Sequence, residues 1–187
     1  MRRALAVLFA LAVAAAVPTA ADPPAGGWYR GDLHAHSTWS DGDSGVAAVL
    51  DVAEMRGLDF FALTDHDTDM GGEPRHWGDP AYRSAKMVLF YGIEWTSGRG
   101  HANVIAAHPF PYDLLWIANR GQDAESAARI AHEHGAIFSI NHPSADLCCP
   151  WLLEVPSSVD AVEVWNAPYG FPNGNRRALG GFHEELL

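Results

Sequence analysis

The sequence predicts a single α/β domain whose strands deliver acids and imidazoles to one end of a sheet. Three observations carry this expectation. Short apolar runs alternate with helical patterns along the chain. Almost every such run ends in His, Asp, Glu or Asn. No internal repeat or low-complexity stretch interrupts the alternation, so one continuous domain is expected from residue 22 to residue 187.

Residues 1–21 stand apart from the fold. Arg2 and Arg3 precede an apolar run from Ala4 to Val17, followed by Thr19, Ala20 and Ala21, which is the pattern of an export leader cleaved near Ala20 or Ala21. The run is shorter than the roughly 20 apolar residues of a spanning helix, so no stable membrane anchor is expected. The product is placed outside the cytoplasm, secreted or periplasmic.

The chain carries 23 acidic against 12 basic side chains, a net charge of −11, and losing the leader with Arg2 and Arg3 makes it −13. That balance argues against a nucleic-acid surface and fits carboxylates offset by bound cations. The two cysteines, Cys148 and Cys149, are adjacent and cannot close a useful loop. They read as a packed or oxidised pair, or as a soft metal ligand.

Strands are expected over 28–34, 58–64, 87–94, 102–107, 136–141 and 159–166. Helices are expected over 45–56, over 122–134 with Gly135 as its stop, and in the tail from Asn175 onward. In parallel α/β barrels the catalytic groups project from the carboxyl ends of strands, so scattered motifs become one site.

The first motif is Gly31-Asp32-Leu33-His34-Ala35-His36-Ser37, followed by Ser40-Asp41-Gly42. Alternate residues of a strand share a face, so Asp32, His34 and His36 point inward together. Two imidazoles so placed can bind a divalent ion while Asp32 orients them, and Asp41 follows within reach of a second ion. The second motif is Thr64-Asp65-His66-Asp67, where His66 is the ligand candidate and Asp65 its support. The third is Gly92-Ile93-Glu94-Trp95-Thr96-Ser97 with Gly98-Arg99-Gly100-His101-Ala102-Asn103-Val104. Glu94 can bridge two cations with its two oxygens, and the glycine-rich link lets the chain return with His101 facing the same cavity. His108, at the far end of the returning strand, is the rival ligand. The fourth motif is Ser139-Ile140-Asn141-His142-Pro143, an apolar strand delivering His142.

In this order and spacing the four motifs resemble the polymerase-and-histidinol-phosphatase (PHP) superfamily of metal-dependent phosphoesterases. The Gly-His-Ala-Asn-Val string and Val162-Glu163-Val164-Trp165-Asn166 are most similar to its carbaryl-hydrolase-like branch. The resemblance spans about residues 29 to 187. It implies a distorted seven-stranded (β/α) barrel of the TIM type and two or three divalent ions, zinc, manganese or iron. Carried over by position, it implies that His34, His36 and Glu94 hold one ion, that Glu94, His101 and His142 hold a second with Glu94 bridging, and that Asp41 and His66 hold a third. The resemblance also implies a final strand bearing Gly-Ser-Asp-x-His, which this sequence lacks. The chain is therefore expected to be a C-terminally truncated product or fragment with an incomplete barrel.

His132 and His134, just before Gly135, suit a helix C-terminus. His76, beside Trp77 in a Gly- and Pro-rich stretch, could line the pocket, but a plain surface loop is the favoured expectation. Arg99, Arg176 and Arg177 could meet an anionic substrate, with Arg99 the best placed beside His101. Glu94, Asp65 and Arg99 are thus expected to serve the chemistry. That chemistry is hydrolysis of a small molecule by a metal-bound hydroxide, on phosphate esters or, as the closest branch suggests, on carbamates or other non-phosphate esters. An inactive metal-binding fragment is the third expectation. There is no Gly-x-Ser-x-Gly elbow or Gly-x-x-x-x-Gly-Lys loop, which disfavours serine hydrolase and P-loop chemistry.

Overall fold

In a computed structural model, which describes residues 27–144 and 149–166, six strands form one sheet in chain order. They are β1 (Gly31–Asp32), β2 (Phe60–Leu63), β3 (Val88–Ser97), β4 (Gly100–Ala106), β5 (Ile137–Ile140) and β6 (Ala161–Val162). Helix α1 (Val46–Met55) joins β1 to β2, and α2 (Tyr112–Gly121) with α3 (Ala124–Glu133) joins β4 to β5. The pairs β1–β2, β2–β3 and β5–β6 are parallel, whereas β4 runs antiparallel to both of its neighbours. Six strands in consecutive order suit an incomplete barrel. The seventh expected strand is not found among the described residues.

The antiparallel strand has a functional consequence. Because β3 and β4 form a hairpin with Ser97 opposite Gly100 and Thr96 opposite His101, the start of β4 lies at the same end of the sheet as the finish of β3. His101 therefore joins the site, and His108, past the other end of β4, is exposed. Its ring lies near Gly135 instead. Strand direction thus places His101, and not His108, beside the other candidate ligands.

Period-two alternation divides the strands between core and site. Ile93 and Trp95 of β3, Ala102 and Val104 of β4, and Phe138 and Ile140 of β5 pack against Leu115, Ala118, Ala127 and Ala131 of α2 and α3. Between them stand Glu94, Thr96, His101, Asn103 and Ser139, on the opposite face. A second cluster joins Val46, Leu50 and Ala53 of α1 to Phe61 and Leu63 of β2. Trp95 is fully buried and donates its indole N–H to Leu115 O at 3.1 Å. Trp95→Ala is expected to cost about 3–5 kcal/mol of stability, read as a lowered midpoint in chemical denaturation.

Several element boundaries differ from the expectation. The first and last strands shrink to two paired residues each, with Trp28 and Tyr29 exposed. Strand β3 runs three residues further, to Ser97. Helices α1 and α3 fall inside their expected limits. Asp123 caps α3 by accepting Ser126 N–H at 3.0 Å, and Gly135 leaves it at φ 70°. Helix α2 was not expected. Pro109 and Pro111 suggest a loop, but a proline just before a helix is compatible with its start, and Leu115, Ala118 and Asn119 form its buried face. The expected helix from Asn175, together with Arg176, Arg177 and Cys148, lies outside the described residues. Among the described residues, no helix is long and apolar enough to cross a membrane.

Candidate metal centre

The N-terminal arm enters the site just beyond the β1 ladder. Ala35 is pinned to Thr64 by Thr64 N–H donating to Ala35 O at 2.8 Å and Ala35 N–H donating to Thr64 Oγ1 at 3.2 Å. The flanking His34 and His36 then share one face, with ring centroids 5.2 Å apart. His66 follows β2 and makes an isolated parallel bridge with Glu94. His142 follows β5 at φ 28°, where the chain turns out of the sheet.

These side chains converge on one carboxylate. Glu94 is fully buried. Its Oε2 lies 3.4 Å from His34 Nε2, 3.2 Å from His36 Nε2 and 3.1 Å from His66 Nδ1. Its Oε1 lies 3.2 Å from both His101 Nδ1 and His142 Nε2, and accepts Asn141 Nδ2–H at 2.8 Å. Asp41 approaches from the loop, with Oδ1 3.2 Å from His36 Nδ1 and Oδ2 3.7 Å from His66 Nε2. All seven residues expected as ligands are therefore in one place.

The donor set fits divalent cations. Glu94 Oε2 is buried and accepts no hydrogen bond although three imidazole nitrogens surround it, and an orphaned buried oxygen is costly. Ligand atoms about 2.0–2.2 Å from an ion stand about 3.0–3.5 Å from one another in a tetrahedral or octahedral shell, which is the spacing found around Oε2. Three groups place one donor atom per residue within 4.8 Å of the others: His34, His36 and Glu94; His36, Asp41 and His66; His66, Glu94 and His101. Nitrogen and oxygen donors of this kind suit zinc, manganese or iron.

The charges are coupled. Burial works against the ionised Glu94, but the imidazoles of His34, His101 and His142 outweigh it and hold the carboxyl well below the usual range. Burial likewise opposes charge on His34, yet Glu94 and Glu163 push its pKa up to about 10.

The supports differ in part from those expected. Asp32 Oδ1 accepts the backbone N–H of His34 at 3.0 Å. The His34 ring is held instead by Glu163, whose Oε1 lies 2.9 Å from Nδ1 and whose Oε2 accepts His142 N–H at 2.7 Å. Glu163 was visible in the sequence only as part of a family-like string, just past the two-residue β6. Asp65 is fully buried, and its oxygens accept Ser37 N–H at 2.7 Å, Ser37 Oγ–H at 2.8 Å and Ser40 Oγ–H at 2.7 Å. It fastens the loop that carries Asp41 and is a positioning residue. Gly42 closes that loop by donating to Ser37 O at 3.0 Å, where a Cβ would stand 2.5 Å from the backbone of His36.

Two expectations are corrected. Arg99 turns away from the imidazoles, donates to Leu152 O at 2.6 Å and lines a separate depression of about 560 Å³. His76 is fully buried rather than on a surface loop, with Nε2 2.9 Å from Gly92 O. The imidazole cluster opens into a cavity of about 980 Å³, which Cys149 also lines and whose wall carries Arg56.

No family model matches the chain. A stretch of 40 residues, 21% of this chain, is 50% identical to the phosphoribosyl 1,2-cyclic phosphate 1,2-diphosphodiesterase of Eggerthella lenta. A 40-residue stretch is 42% identical to the DNA polymerase/3'-5' exonuclease PolX of Bacillus subtilis. The matches cover 15% and 7% of those proteins, so the chain spans only a small part of the curated relatives. Among solved structures, one resembles the chain with a TM-score of 0.55 at 16% identity, covering 89% of this chain and 86% of that one. It is a candidate metal-dependent phosphoesterase from Bifidobacterium adolescentis. A two-domain protein from Bacteroides vulgatus containing a predicted PHP-like metal-dependent phosphoesterase gives a TM-score of 0.52 at 23% identity, over 81% of this chain and 48% of that one. The structural likeness shows the fold: the chain shares the architecture of these two structures.

Proposed function

We propose that this chain is a metal-dependent phosphoesterase acting on small phosphate esters, with His34, His36, Asp41, His66, Glu94, His101 and His142 holding two or three divalent cations. The observation that carries the reading is the buried Glu94, whose orphaned Oε2 faces three imidazole nitrogens at 3.1–3.4 Å. The names of the similar proteins agree with it in kind. When bound, such cations acidify water and neutralise charge building up on a phosphoryl group and its leaving oxygen.

The chain's own part is to build and hold this cradle. Glu94 supplies an oxygen to each side of the centre. Glu163 fixes the His34 ring and the His142 backbone together. Asp65, through Ser37 and Ser40, sets the loop that brings Asp41 to the cavity mouth. The proposal includes an export leader at residues 1–21, a hydrolase domain from residue 22 and a location outside the cytoplasm, supported by the N-terminal sequence pattern.

The purified chain, stripped of metal and reloaded with zinc or manganese, is expected to cleave a nitrophenyl phosphodiester or monoester and to lose that activity on chelation. Cleavage of a phenyl carbamate alone would replace the phosphoester reading. A chain that binds no metal would overturn the proposal as a whole.

A further inference from the structure

His66 stands at the junction of two groups of donors, His36–Asp41–His66 and His66–Glu94–His101. Its Nε2 faces Asp41 Oδ2 at 3.7 Å, and its Nδ1 faces Glu94 Oε2 at 3.1 Å. Which nitrogen is free to bind an ion depends on where the ring proton lies.

Thr96 decides this. Its hydroxyl lies 2.7 Å from His66 Nδ1 and donates to Glu94 O at 3.0 Å. A threonine hydroxyl has one proton and two lone pairs, so with its proton on the Glu94 carbonyl it accepts from Nδ1–H. Glu94 Oε2, although 3.1 Å away, accepts no hydrogen bond, so the ring proton points to Thr96. Thr96 itself is fixed from behind: its backbone N–H donates to Asp67 Oδ1 at 2.9 Å, and Asn119 of α2 binds both oxygens of that buried carboxylate at 3.0 and 2.8 Å. The strand that supplies Glu94 therefore also supplies, two residues later on the same face, the group that orients a neighbouring imidazole.

We infer that Thr96 is a positioning residue that keeps the proton of His66 on Nδ1, so that His66 binds through Nε2 only and belongs to the ion held with His36 and Asp41. The inference rests on the metal-centre reading above. An imidazole whose far nitrogen is tied to a hydrogen-bond acceptor is oriented and made a better ligand. An ion held by Glu94 and His101 would then take His142 as its further ligand, the His142 Nε2 lying 3.2 Å from Glu94 Oε1, as does His101 Nδ1.

The test uses the full chain, titrated with zinc against a competing chelator, in wild type, Thr96→Val, Thr96→Ser and His66→Ala. Thr96→Val is expected to weaken one class of ion by about 10–100-fold, the same class that His66→Ala removes, and to leave the others unchanged. Thr96→Ser keeps the hydroxyl and is expected to bind as wild type. In nitrogen-15 histidine spectra of the zinc-loaded wild type, the His66 ring proton is expected on Nδ1. Unchanged zinc binding in Thr96→Val, equal weakening in Thr96→Ser, or zinc on Nδ1 of His66 would overturn the inference while leaving the metal centre intact. Failure of the wild type to bind zinc would instead remove the metal-centre reading on which it rests.

Discussion

Glu94→Gln is expected to abolish tight binding of at least one ion and, with it, the proposed hydrolysis. The substitution keeps the shape of the side chain but replaces an acceptor oxygen by an amide and removes the charge toward which five imidazoles converge. Asn141 and His101 already use Oε1, so one orientation of the amide would put donor against donor there, and the other would put its N–H₂ among the nitrogens that face Oε2. Metal affinity should fall by more than the roughly 10–100-fold typical of losing an outer partner. Inductively coupled plasma analysis after gel filtration reads this directly. A variant that retains the full complement of metal would show that Glu94 does not hold the ions.

Glu163→Ala should have the second-largest effect, although Glu163 is not among the proposed ligands. Its two oxygens act on two different ligands, one on the ring of His34 and the other on the backbone N–H of His142. Removing them frees the His34 ring to rotate and leaves a turn at positive φ with a lost acceptor. Metal affinity is expected to drop about 10–100-fold. Glu163→Gln, which retains a carbonyl oxygen, should lose less. Chelator competition on the three proteins checks the order; equal affinity in all of them would remove Glu163 from the site.

The site was legible in the sequence to the extent that strand periodicity governs it. His34, His36, His66, Glu94, His101 and His142 each stand at or just past an apolar run, and alternation alone directs them to one face. The direction of β4 was suggested by the glycine-rich link at 98–100, which favoured His101 over His108. The supports were harder to read, because they depend on contacts distant in sequence. Glu163 meets His34 across 129 positions, and no local pattern marks it. Asp32, adjacent in sequence and of the right chemistry, binds the backbone instead. Arg99 was placed near the site by its neighbour His101, but in a hairpin successive side chains diverge and its guanidinium follows the outer surface to Leu152. Helix α2 was missed because Pro109 and Pro111 advertise a turn, while its buried face, Leu115, Ala118 and Asn119, is short and includes an amide.

The most direct test is anomalous diffraction from crystals grown with manganese or zinc. The account predicts anomalous peaks about 2.0–2.2 Å from carboxylate oxygens of Glu94, each also contacted by imidazoles of the cluster. Crystals saturated with metal that show no such peak beside Glu94, or ions bound only elsewhere, would contradict it.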